Sequence, residues 1–335
     1  MQWQNGYMRI IMLYLQNQAY YNGEFMSINK IDQICLYRVQ IPICTLNLKE
    51  RRVKMIEGIV LPESVKSIFY VLNRNGYEAY LVGGAVRNSI IGLPIHDWDI
   101  CTNALPEDVC KLFRSKGFRV VKTGLQHGTV TVMVNYRGYE ITTYRTDGKY
   151  TDSRHPDSVK FVGNILEDLA RRDFTMNAIA YNDDDGLIDP FNGLKDIENK
   201  IIRCVGTPVD RFKEDPLRIM RAVRFAAQLG FHIENYTNIA MVQTNDGLSK
   251  ISAERIQSEL CKTLISDHPE YVLDYYIDIS PAIPELSKMM GCSQNNMYHI
   301  YDVWNHTRFA LTACRIHELD LLSYFMILVN QNQKR

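Results

Sequence analysis

Leu81-Val-Gly-Gly-Ala-Val-Arg87, followed by His96-Asp-Trp-Asp-Ile100, is the stretch on which the reading of this chain turns. An apolar run that meets Gly83-Gly84 and passes into a short helical pattern reads as strand, turn and helix: Ala79–Val82, then Ala85–Ile91, stopped by Gly92. Without side chains, Gly83 and Gly84 let backbone N–H groups approach an anion closely, and the helix start behind them favours negative charge. Asp97–Cys101 reads as a second strand. Residues i and i+2 of a strand share a face, so Asp97 and Asp99 project together while Trp98 points away. Two carboxylates at that spacing suit Mg²⁺, a hard cation that also takes phosphate oxygens. Glu140, on a later alternating strand, supplies a third acid and completes a set suited to two metal ions and in-line attack of a hydroxyl on an α-phosphate. Each piece alone is weak. A Gly-Gly is usually a turn, an Asp-x-Asp at a strand end is more often solvated or capping, and Glu140 by itself is an ordinary exposed strand residue.

Outward from this stretch the text alternates between helical and strand periods. Pro62 to Asn75 carries Val65, Ile68, Phe69 and Leu72 on one stripe, an amphipathic helix. Pro106–Ser115 is a helix with proline at its start. Thr129–Asn135 and Tyr139–Tyr144 alternate as strands about a turn at Arg137-Gly138. After about residue 190 the strands stop and helical patterns dominate. The expected fold class is therefore α+β, a mixed sheet with helices followed by an all-helical part. The expected segments are a poorly structured extension over 1–54, a head over 55–188, a helical neck over 189–265, and a helical body over 266–335. The extension is rich in Tyr, Gln and Asn with no sustained period, and Met55 reads as the natural start. Lys49-Glu-Arg-Arg52 then reads as a translated purine-rich ribosome-binding site, or alternatively as a basic RNA-binding arm.

Composition narrows the class without choosing it. The 335 residues suffice for two or three domains, and 46% hydrophobic with 23% charged residues is ordinary for a globular protein. Lys+Arg and Asp+Glu both number 38, which argues against non-specific coating of nucleic acid but leaves room for local basic patches. The cysteines form no CxxC pair, which removes zinc ribbons and redox motifs and fits a reducing cytoplasm. Ile10 to Leu15 is too short to span a bilayer and is followed by no cleavage pattern, so no membrane role is expected.

Taken in order and spacing, the glycine pair and the acids resemble the polymerase-β-like nucleotidyltransferase superfamily. Four further segments narrow the resemblance: Arg171-Arg-Asp-Phe-Thr-Met-Asn-Ala178, Asp189-Pro-Phe-Asn-Gly-Leu-Lys-Asp196, Glu214-Asp-Pro-Leu-Arg-Ile-Met-Arg221, and Ile251-Ser-Ala-Glu-Arg-Ile-Gln-Ser-Glu-Leu260. As an ordered set they resemble the class II tRNA nucleotidyltransferases, which add CCA, and the related bacterial poly(A) polymerases. Thr123-Gly-Leu-Gln-His-Gly-Thr129 and Tyr144-Arg-Thr-Asp-Gly-Lys-Tyr-Thr-Asp-Ser-Arg-His-Pro156 are similar to the CCA-adding type, flexible loop included. The resemblance implies Mg²⁺ at Asp97, Asp99 and Glu140, the tRNA 3′ end with CTP and ATP as partners, and a cytoplasmic setting. It implies nucleotide contacts at Gly83, Gly84, Arg87, Arg171, Arg172, Asp173, Asn177, Asp215, Arg218 and Arg221. One departure is visible: the family usually has aspartate where this chain has Asn88. Near the end, Tyr298 to Leu311 resembles the opening of an HD phosphohydrolase domain with His306 as a first ligand, yet the downstream His-Asp doublet is absent.

The chemistry of these residues agrees with the assignment. Guanidinium donors of Arg171 and Arg172 fit β- and γ-phosphate oxygens bidentately, the plain alternative being a surface helix start. Asp173 and Asn177, four apart, share a face if the segment is helical and are then placed for a ribose hydroxyl; a helix cap is the alternative for Asp173. Asp215 and Arg218, three apart, are neighbours on a helix. Cytosine and adenine each show an amino donor beside a ring-nitrogen acceptor, so one acid and one arginine read both, whereas uracil and guanine set a carbonyl against the acid. The plain alternative is a surface salt bridge. The expected activity is template-independent transfer of CMP and AMP to tRNA. The alternatives are a poly(A) polymerase, a CC- or A-only enzyme, and an inactive RNA- or nucleotide-binding fragment.

Overall fold

The computed structural model describes residues 59–148, 159–293 and 301–316. The expected extension over 1–54, residues 149–158 of the expected flexible loop, and the chain beyond 316 lie outside the described residues. Helix α1, Glu63–Asn73, buries Val65, Ile68, Phe69 and Leu72, the stripe that its period marks. Strand β1 is Ala79–Val82, all four residues buried. Gly83 follows with φ 67°, open to few residues but glycine, and caps α2, Gly84–Ile91, which ends on Gly92 with φ 71°. Strand β2, Ile100–Thr102, and helix α3, Pro106–Ser115, come next. Strands β3, Arg119–Gly124, β4, Thr129–Val134, and β5, Arg137–Thr143, form an antiparallel meander.

Two short strands, β6, Arg145–Asp147, and β7, Val159–Phe161, pair with each other. Helix α4, Ile165–Ala170, opens on Asn164, whose side chain accepts from the Leu166 amide. After a 3₁₀ turn at Thr175–Asn177 come β8, Ala180–Asn182, and β9, Gly186–Ile188. Among the described residues the main sheet has seven strands in the order β3-β4-β5-β2-β1-β8-β9. All its pairings are antiparallel except β2 with β5. Beneath one part of it Tyr80, Val82, Cys101, Tyr144, Ile165, Leu169, Ala178 and Ala180 form a buried cluster.

The chain beyond β9 is mostly helical, with α5, Gly193–Glu198, α6, Pro208–Glu214, α7, Leu217–Leu229, α8, Asn235–Thr244, and α9, Ala253–Leu264. Short helices α10, Tyr271–Asp274, and α11, Tyr276–Ile279, precede α12, Val303–Ile316. The chain divides into two compact units. One runs through the sheet to Arg218 and takes in Phe231–Thr244; the other holds Ile219–Gly230 and the chain from Asn245 on. The segment 189–265 thus contributes to both. In the second unit the buried Arg224–Glu259 ion pair at 3.0 Å ties α7 to α9.

Three local expectations need correction. The β4–β5 turn is at Asn135-Tyr136, both with positive φ of 49° and 62°, and not at Arg137-Gly138. Two left-handed residues make the tight hairpin whose twist matches the strands. Gly138 lies inside β5, where a Cβ would meet Thr131 Cγ2 at 3.0 Å; close packing, not a turn, explains that glycine. Strands also do not stop at residue 190: β10, Ile201–Ile202, pairs in parallel with β11, His232–Ile233. Finally, β2 begins at Ile100, so Asp97 and Asp99 precede the strand.

Candidate active site

Although Asp99 lies outside β2, its backbone still follows the sheet, its carbonyl accepting from Val82 N at 3.0 Å. The parallel pairing places Ile100 beside Ile141. Stepping that register back by one residue sets Asp99 beside Glu140, about 4.8 Å away strand to strand. Their side chains leave the face opposite to Ile100 and Ile141, which are both buried. The expected pairing of Asp99 with Glu140 therefore arises from ladder register. Asp97 joins them from the preceding segment, where Arg137 donates to the His96 carbonyl and restrains the loop.

Charge marks the same spot. Asp99 keeps one side open to solvent, while the protein atoms crowded around the rest of it displace water and raise its carboxyl above the ordinary range. Arg172 opposes that rise, while the charges of Glu140 and Asp97 add to it. Such crowding of anions fits a cation, and the oxygen donors are those that Mg²⁺ takes. Among the described residues, no three histidine, cysteine or acidic side chains form a ready-made metal cage. The carboxylates share a neighbourhood rather than a closed coordination sphere.

Beside the acids lies a cationic half. Asp168, fully buried on α4, receives Arg171 Nη2 at 2.8 Å and Arg172 Nη2 at 3.0 Å. These arginines draw the Asp168 carboxyl below the ordinary range against the pull of burial. Arg172 Nη2 also reaches Cys101 Sγ at 3.4 Å. Its Nη1 lies so near Gly83 that a Cβ there would stand 3.1 Å away, which gives that glycine a second reason beyond its φ. Arg172 is thus packed between the glycine turn, Asp168 and the acids. Asp168 was missed by the sequence reading, although its i+3 and i+4 spacing to the two arginines is visible in Asp168-Leu-Ala-Arg-Arg172.

A third network runs behind the glycine turn. Arg87, buried on α2, donates from Nη1 to Asn177 Oδ1 at 2.6 Å, and Asn177 Nδ2 donates to Asp173 Oδ1 at 3.1 Å. Asp173 and Asn177 therefore touch as expected, but through a 3₁₀ turn and not an α-helical face. Asp189 caps α5 by accepting from Gly193 N at 2.7 Å and Leu194 N at 2.9 Å. Gly193 backs against this turn so closely that a Cβ would lie 2.2 Å from the Thr175 carbonyl. Asp196 accepts from Thr175 Oγ1 at 2.7 Å, so the third motif braces the second. The cavity bordered by Phe191, Lys195, Asp196 and Arg203 shares no residue with the acid cluster.

Asp215 and Arg218 depart from the expected geometry. Pro216 interrupts the helix, and Asp215 sits between α6 and α7 with extended φ −140°. Its Oδ1 accepts from Leu217 N at 3.1 Å, a cap on α7. Arg218 N–H donates to the Asp215 carbonyl at 3.0 Å, but its side chain turns to other partners. Its Nη1 meets Glu214 Oε2 at 2.8 Å, and its Nη2 donates to the Arg171 carbonyl at 3.2 Å. Arg221 stacks over the Phe225 ring, 5.4 Å from its centroid. His306 lies in α12, with its backbone N–H bonded to the Asp302 carbonyl at 2.9 Å.

Comparison with known proteins finds two matching segments. Residues 79–203 match the Poly A polymerase head domain, and residues 230–280 match a probable RNA and SrmB-binding site of polymerase A. The CCA-adding enzyme of Ligilactobacillus salivarius (strain UCC118) is 47% identical over 221 residues, covering 65% of this chain and 54% of the relative. That of Leuconostoc citreum (strain KM20) is 51% identical over 203 residues, 61% of this chain and 49% of the relative. The chain spans about half the length of the curated relatives it matches. A Bacillus stearothermophilus CCA-adding enzyme in complex with CTP superposes with TM-score 0.61 at 35% identity, over 80% of this chain and 65% of that one. A tRNA nucleotidyltransferase complexed with a primer tRNA and an incoming ATP analog gives 0.58 at 28%, over 78% and 75%. Among the described residues, no helix is long and apolar enough to cross a membrane.

Proposed function

We propose that this chain, similar over residues 79–203 to the Poly A polymerase head domain and over about half their length to CCA-adding enzymes, transfers CMP and AMP from CTP and ATP to the 3′ hydroxyl of tRNA, releasing pyrophosphate. The single observation that carries the reading is the β2–β5 register, which sets Asp99 beside Glu140 with Arg172 facing them. Asp97, Asp99 and Glu140 would hold Mg²⁺, which lowers the pKa of an attacking hydroxyl and neutralises the leaving pyrophosphate when bound. Gly83 and Gly84 admit the triphosphate to backbone N–H groups at the start of α2. Arg171 and Arg172 meet the phosphates with guanidinium planes that Asp168 already holds in place, so little side-chain freedom is lost on binding. Asp173 and Asn177, oriented by Arg87, meet the ribose hydroxyls.

Asp215 and Arg218 read the base edge from the junction of two helices, Arg218 being aimed by Glu214 and the Arg171 carbonyl. The setting is the cytoplasm, where tRNA and nucleoside triphosphates are met. Incorporation into a tRNA ending before CCA, with each nucleoside triphosphate supplied singly and together, tests the reading. CCA addition with UTP and GTP excluded is the expected result. Runs of A indicate a poly(A) polymerase, and a halt after CC, or growth only on tRNA ending in CC, indicates a partial enzyme. ATP binding without Mg²⁺-dependent incorporation indicates an inactive fragment.

A further inference from the structure

Asn88 stands on α2 directly after Arg87, and its side-chain amide bonds in two directions. Its Oδ1 accepts from Arg87 Nε at 3.1 Å and Nη2 at 2.9 Å, and its Nδ2 donates to the Pro94 carbonyl at 2.9 Å. Chemistry alone dictates that orientation, since a guanidinium has only donors and a carbonyl only accepts. The Asn88 backbone carbonyl also receives Leu93 N at 2.9 Å, so this one residue is bonded to both Leu93 and Pro94. From its acceptor side the connection continues through Arg87 to Asn177 and Asp173. From its donor side it reaches the segment that leads to Asp97 and Asp99, where Arg137 holds the His96 carbonyl further along.

The two bonds require an amide. Aspartate keeps the acceptor toward Arg87 and strengthens it with charge, but sets a second oxygen against the Pro94 carbonyl. Alanine loses both. The geometry points to Asn88 as a positioning residue that ties the acidic segment to the sugar-side network: its donor half places the metal-binding acids and its acceptor half orients Arg87 toward Asn177. The inference rests on the assignment of Asp97 and Asp99 to the metal and of Asp173 and Asn177 to the ribose. It gives the exchange of aspartate for asparagine at this position a physical content.

The test is a titration of Mn²⁺ alone, followed by electron paramagnetic resonance of the free ion, into the full chain and its Asn88→Asp, Asn88→Ala and Asp97→Ala variants. Calorimetric binding of CTP against dCTP to the same proteins supplies the second readout. Both Asn88 variants are expected to bind Mn²⁺ on the order of three- to tenfold more weakly, below the roughly 10–100-fold lost with groups that bond a metal ligand directly, because Asn88 acts through the Pro94 carbonyl. The preference for CTP over dCTP is expected to fall in Asn88→Ala only. Should Asn88→Ala fail to fold, Asn88→Asp, which keeps the Arg87 bond, carries the test alone. Mn²⁺ affinity in Asn88→Asp within twofold of the unaltered chain overturns the inference, as does equal loss of sugar preference in both variants. Unchanged Mn²⁺ binding in Asp97→Ala overturns the metal assignment itself, and is recognised because it appears in that control.

Discussion

The two charged halves of the head site are built on opposite balances. Around Asp99 three carboxylates gather with Arg172 as the opposing charge, and the Asp99 carboxyl is raised. Around Asp168 one buried carboxylate serves two arginines, and its carboxyl is lowered. Arg172 belongs to both groups. The first half has negative charge in excess and suits cations; the second has positive charge in excess and suits phosphates. A nucleoside triphosphate with its metal ions, the substrate proposed above, would match this division of charge.

Removing an acid from the first half breaks the comparison most severely. Asp97→Ala or Asp99→Ala should lower incorporation on the order of a thousandfold or more with the fold intact. Single-turnover rates alongside thermal melts check this, and retention of more than about a tenth of the activity refutes the metal role. In the second half the damage should appear in stability. Asp168→Asn leaves Arg171 and Arg172 without their buried counter-charge, and about 3–5 kcal/mol of stability should be lost. Chemical denaturation measures it. The pH dependence has a definite sign. Asp168 has a depressed carboxyl, so its contribution is fully present above the ordinary value of 3.8 and disappears as pH falls through the lower folded value. Acid melts of the unaltered chain should steepen in that window, and Asp168→Asn should lack that component.

These expectations separate what short spacings reveal from what they hide. Asp99 and Glu140 were each named from strand alternation and from their order along the chain, but that they lie beside each other comes from the β2–β5 register, which no local spacing reveals. Asp168 was overlooked because a lone acid before Arg171 and Arg172 reads as one more surface charge until burial is known. Asp215 and Arg218 were placed on a helix from a three-residue spacing, but Pro216 between them cannot supply the N–H that a continuous helix needs. The hairpin was legible as a hairpin. Its turn was misplaced because Gly138 looks like a turn residue, while Tyr136 at φ 62° does not.

Two smaller effects sharpen the picture. Asp215→Ala should weaken CTP and ATP use together by roughly ten- to a hundredfold, the worth of a charged hydrogen bond, and relax rejection of UTP. Arg218→Ala should weaken both without admitting UTP. Measured kcat/KM for the three nucleotides decides it; unchanged CTP:UTP discrimination in Asp215→Ala leaves that residue as a helix cap only. Smallest is Tyr136→Gly. It replaces a left-handed tyrosine by the residue such turns prefer and should raise stability by about 1 kcal/mol. A lower melting temperature would show that the exposed ring contributes contacts of its own.

The sheet order carries a consequence for how the head comes into being. Leu81 pairs with Tyr181, a hundred residues later. During synthesis β1 emerges long before β8, and one edge of the centre of the sheet waits unpaired while that stretch is made. Its residues, Ala79-Tyr-Leu-Val82, are the kind that recruit other strands. The sheet that carries the acids therefore cannot be completed piecemeal from its first motif. Its nascent chain depends on β8 arriving, with the arginine motif just ahead of it, before a foreign strand takes the place beside β1.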